Sequence, residues 1–118
     1  MTPNKKGFLN YKWDSLWFKL FGASYLEQRA KVFSIIEVAY SRPDRHYHNL
    51  DHIANVLESM PGNLDRQALV ELAVWFHDII YNPKKTDNEE LSAKSFEGCF
   101  RGILPDDSIS RVKDMIMC

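Results

Sequence analysis

At 118 residues, with 45% hydrophobic and 26% charged side chains, the chain has the composition of one soluble globular domain. A formal net charge of −1 gives no electrostatic reason for nucleic-acid or anionic-membrane partners, and no apolar run reaches transmembrane length. The N-terminus lacks an apolar signal-like region, and Cys99 and Cys118 lack metal-type spacing, so the expectation is a cytoplasmic protein with reduced thiols.

Taken in chain order, the pattern predicts an all-α bundle of five or six short helices. Residues 1–12 read as a polar N-terminal lead, with the helical domain over 13–118. Asp14 or Ser15 is expected to start a helix through Leu16, Phe18 and Leu20, stopped by Gly22. Ser24 and Glu27 have the form of a capping box, opening a second helix with Leu26, Ala30, Phe33, Ile36 and Tyr40 inward. Pro43 ends it, because the residue before proline avoids the helical region. Asn49 is expected to cap a third helix with Leu50, Ile53, Leu57 and Met60 inside, closed by Pro61-Gly62.

Asp65 would cap a fourth helix, in which Leu69, Leu72, Ala73 and Phe76 run down to His77-Asp78. A turn over Tyr81–Lys85 follows. Asp87 and Glu90 then form a second capping box, opening a helix towards Gly102. After Pro105, Asp106 or Asp107 starts a last helix with Ile109, Val112 and Ile116 on one side. This helix stops in mid-pattern at Met115-Ile116-Met117-Cys118, which reads as a C-terminally truncated domain. Truncation predicts an uncovered stripe over Ile109, Val112 and Ile116, and a homo-oligomer formed through the C-terminal helix.

The four histidines are His46, His48, His52 and His77. His48 and His52 stand four apart, so a helical turn there projects both from one face, where they can share a metal or divide ligation from proton transfer. A polar helix start, hydrogen-bonded to backbone and solvent, is the alternative. His77 and Asp78 end an apolar run, where a carboxylate losing its water must be paired or ligate a metal. The alternative is a histidine favoured by a helix C-terminus, with Asp78 turned to solvent.

The H-N-x-x-H segment, a helix, and a second helix ending in H-D together resemble the HD superfamily of metal-dependent phosphohydrolases. Tyr47-His48-Asn49 with His52 is also similar to the corresponding segment of the cyclic nucleotide phosphodiesterases. A closer likeness is to a small bacterial family of predicted metal-dependent HD phosphohydrolases. It is carried by Arg45-His46-Tyr47-His48-Asn49-Leu50, Trp75-Phe76-His77-Asp78 and Asp87-Asn88-Glu89-Glu90-Leu91-Ser92-Ala93, and spans residues 13–118.

The resemblance implies that His52, His77 and Asp78 ligate a divalent ion (manganese, iron, nickel, zinc or magnesium). His48 would protonate the leaving oxygen or, under the simpler superfamily alignment, serve as a ligand itself. Glu89 or Glu90 would orient water, and Arg45 would meet a substrate phosphate. The implied activity is hydrolysis of a nucleotide or other small phosphate ester through a metal-activated water, with neither nucleic acid nor membrane as partner. The family's last aspartate ligand has no match: Asp106, Asp107 and Asp114 follow the third motif, and only Asp114 lies on the last helix, in non-matching surroundings. The alternative implied is a catalytically impaired HD scaffold that binds metal or ligand, or pairs with another chain.

Overall fold

The computed structural model describes residues 3–43, 45, 49–60 and 67–118. Among them the chain is all-helical, with six helices: α1 (Pro3–Phe21), α2 (Leu26–Tyr40), α3 (Leu50–Ser59), α4 (Ala68–Phe76), α5 (Asn88–Phe100) and α6 (Asp106–Met117). No described helix is long and apolar enough to cross a membrane. The chain divides into two compact units, residues 1–68 and 69–118, and buried apolar residues occur in both.

In the first unit α1 begins ten or more residues before the expected start, so most of residues 1–12 is helix rather than lead. Proline is tolerated in a first helical turn, where its missing N–H would be unpaired in any case. Leu9, Trp13, Leu16 and Trp17 follow helical spacing and are all buried, whereas Phe18 is exposed. Gly22 adopts φ 61°, a left-handed conformation that stops the helix without steric cost.

The Ser24–Glu27 capping box does not form. Tyr25 precedes α2 in the left-handed region (φ 57°), no side chain caps the helix, and the Ser24 carbonyl accepts the Trp17 indole N–H at 2.9 Å. The Trp13 indole donates to the Arg29 carbonyl at 3.1 Å, and Arg29 pairs with Asp14. Of the expected inner face, Ile36 and Tyr40 are buried and Phe33 is half-buried near the Trp13 ring, while Leu26 and Ala30 at the helix start are exposed and Val32 is buried instead. Helix α3 starts as expected. Asn49 is extended (φ −124°), and its side-chain oxygen accepts the His52 amide at 3.1 Å. Leu50, Ile53, Ala54 and Leu57 are buried. The expected breaker Pro61-Gly62 and cap Asp65 lie outside the described residues.

In the second unit α4 buries Leu72, Ala73, Trp75 and Phe76. Phe76 meets Phe96 and Phe100 of α5 edge-on, at centroid distances of 5.3 and 5.8 Å. Helices α5 and α6 pack against each other. Ile109, Val112 and Ile116 are at most 6% exposed, so the expected uncovered stripe is absent and the argument for self-association through it falls. The Asp87–Glu90 box also does not form: Asp87 makes no side-chain cap, and Glu90 pairs instead with Lys94.

Candidate metal site

His77 and Asp78 stand just beyond the last residue of α4, in a turn where the Ile79 amide bonds back to the Phe76 carbonyl at 3.2 Å. Phe76 and Ile79, on either side of the pair, are buried, while His77 and Asp78 are half-buried. The apolar flanks anchor the backbone and leave the two polar side chains facing partly outward.

The His77 ring is polarised. Its Nδ1 lies 2.6 Å from the Val74 carbonyl oxygen, and a carbonyl only accepts, so Nδ1 carries the hydrogen. That leaves Nε2 facing the Asp78 carboxylate, 3.1 Å from Oδ2. Two lone pairs at that distance repel unless a proton or another cation lies between them. Burial works to lower the His77 pKa, but the Asp78 hydrogen bond, the Val74 carbonyl and the Asp78 charge outweigh it and raise the pKa. The pair therefore favours a proton on Nε2, as an imidazolium beside a carboxylate. A backbone carbonyl holding the far nitrogen is the arrangement by which proteins orient a ligating imidazole.

The loop after this turn is closed by α5. The Asn88 side chain accepts the Asn82 amide at 3.0 Å and donates to the Asn82 carbonyl at 2.8 Å. The Ser92 hydroxyl accepts the Ile80 amide at 3.1 Å and donates to the Ile80 carbonyl at 3.2 Å. The third motif therefore acts on backbone through Asn88 and Ser92. Sequence reading gave Ser92 no role, although a serine set among the apolar positions of an amphipathic helix was the available signal. Glu89 and Glu90 are exposed on the first turn of α5, and Asp114 is exposed on α6.

In the first unit His52 is the third residue of α3, half-buried, its amide held by Asn49. Arg45 is buried, its guanidinium carbon 5.0 Å from the Tyr40 ring centroid. It helps line a pocket of about 270 Å³ with Tyr40, Arg42, Asn49, Leu50 and Asp51. His46 and His48 lie outside the described residues. Cys99 and Cys118 are free thiols, and burial pushes the Cys99 pKa up.

The sequence matches no family model, and neither a curated protein nor a solved structure matches it.

Proposed function

We propose that this chain is a metal-dependent phosphohydrolase of the HD type, acting in the cytoplasm on a nucleotide or another small phosphate ester. The observation that carries the reading is the His77–Asp78 pair, with Nδ1–H committed to Val74 and Nε2 set beside a carboxylate oxygen. Imidazole nitrogen and carboxylate oxygen, as His77 and Asp78 offer them, fit a divalent transition metal. A divalent ion held there would supply Lewis acidity and bring the pKa of a water molecule towards neutrality.

The chain's own residues would do the rest. His77 and Asp78 hold the ion, with Val74 fixing the imidazole tautomer, and His52 is the third donor. Arg45, in the pocket at the start of α3, is assigned to substrate phosphate, where a planar guanidinium gives a two-point contact. His48 is assigned to protonate the leaving oxygen, and Glu89 to orient water from the first turn of α5.

Phosphate release from a panel of nucleotides and sugar phosphates, measured with Mn²⁺, Zn²⁺, Ni²⁺, Fe²⁺ and Mg²⁺ in turn, tests the proposal. Metal-dependent hydrolysis is expected in the wild type and should vanish in His77→Ala and Asp78→Asn. Metal binding without turnover would leave a metal-binding module and remove the enzyme. Neither binding nor turnover would overturn the reading.

A further inference from the structure

We infer that Ser92 is a positioning residue for the His77–Asp78 pair, an inference that rests on the metal-site reading above. Residues 77–80 form a turn outside any helix, so their backbone groups need partners from elsewhere. The Phe76 carbonyl receives the Ile79 amide, and the Ile79 side chain is buried. At Ile80 both backbone groups bond to the single Ser92 hydroxyl. A hydroxyl has one hydrogen and two lone pairs, so it can accept from an N–H and donate to a carbonyl at once. Neither alanine nor valine can do either.

The helix itself gains nothing from this serine. Alanine is the better helix former, and a hydroxyl with no solvent exposure costs free energy unless it is bonded. What serine adds is a fixed peptide orientation two residues beyond Asp78. Together with the buried Phe76 and Ile79, that point holds the turn at three places and sets the 3.1 Å approach of His77 Nε2 to Asp78 Oδ2. Freed from Ser92, the turn keeps its apolar anchors but loses the register of its two polar side chains.

The test separates positioning from stability by measuring Mn²⁺ affinity calorimetrically on folded protein, beside the melting temperature. Ser92→Ala should weaken Mn²⁺ binding by about 10-fold or more, the range seen when a ligand's supporting bond is removed. Val112→Ala, which opens the α6 core of the same unit, should lower the melting temperature and leave Mn²⁺ affinity unchanged. Should Ser92→Ala not fold, Ser92→Cys keeps the volume with a weak donor and acceptor, and should weaken binding in the same direction. Unchanged affinity in the Ser92 variant, or equal weakening by Val112→Ala, would overturn the inference while the metal site stands. A wild type that binds no Mn²⁺ would overturn the metal reading and this inference with it.

Discussion

At the end of α2 and the start of α3 the described residues have local partners: Arg45 lies over Tyr40, and Asn49 caps the His52 amide. Between α4 and α5 the order is imposed backwards, by Asn88 and Ser92 reaching from the following helix onto Asn82 and Ile80. The first device is local, its two contacts spanning five and three residues. The second closes loops of six and twelve residues and depends on α5 being held in place. A histidine supported by a cap inherits the stability of its own helix start. One supported across a loop can be mispositioned by a change elsewhere that leaves its own helix intact.

The largest effect on this contrast is expected from Asn88→Ala. It removes both side-chain bonds to Asn82, and the loss should be about 1–3 kcal/mol in urea unfolding. A loss below about 0.5 kcal/mol would mean that Ser92 and the apolar anchors hold the loop alone. Asn49→Ala should cost about 1 kcal/mol, the usual value of a helix cap, with the effect confined to amide exchange in the first turn of α3. Slower exchange there than in the wild type would show that the cap is not what orders His52.

The smallest effect concerns the base from which α5 reaches. The Lys113 hydrogen bond, then that of Arg101, hold the Glu97 pKa down to about 2 from an ordinary 4.5. A depressed carboxyl pKa stabilises the fold above the unfolded value, so this contribution is complete above pH 4.5. It is lost as pH falls from there through about 2. The stability gap between wild type and Glu97→Gln should therefore shrink over that window. A gap independent of pH would show that the carboxylate does not tie α5 to α6.

The elements legible in the sequence were those set by local chemistry. Asn49 standing before Leu50, Ile53 and Leu57 specified both a cap and a buried face, and Ile109, Val112 and Ile116 specified the inner side of α6. Both capping boxes failed for tertiary reasons. Ser24 gives its carbonyl to Trp17, and the α5 start is organised around Asn88 holding Asn82. The early start of α1 was hidden because the apolar pair Phe8-Leu9 is set between Pro3, Lys5, Lys6 and Gly7 on one side and Asn10 on the other, and the burial of Leu9 depends on the packed unit. At the candidate site His77 and Asp78 were legible as a pair. The Val74 carbonyl that fixes the ring and the Ser92 hydroxyl that fixes the turn were not, because each contact depends on backbone geometry that residue types do not encode.

Metal binding at His77 depends on the polarity of its ring, and long-range proton–nitrogen NMR of that imidazole tests it most directly. In metal-free protein Nδ1 should carry its hydrogen at every pH where the ring is neutral, with Nε2 as the bare nitrogen. One equivalent of Zn²⁺ should then shift Nε2, leave Nδ1 protonated, and do neither in Asp78→Asn. A neutral ring protonated on Nε2, or a wild-type spectrum unchanged by Zn²⁺, would contradict the claim that His77 and Asp78 are arranged to hold a cation.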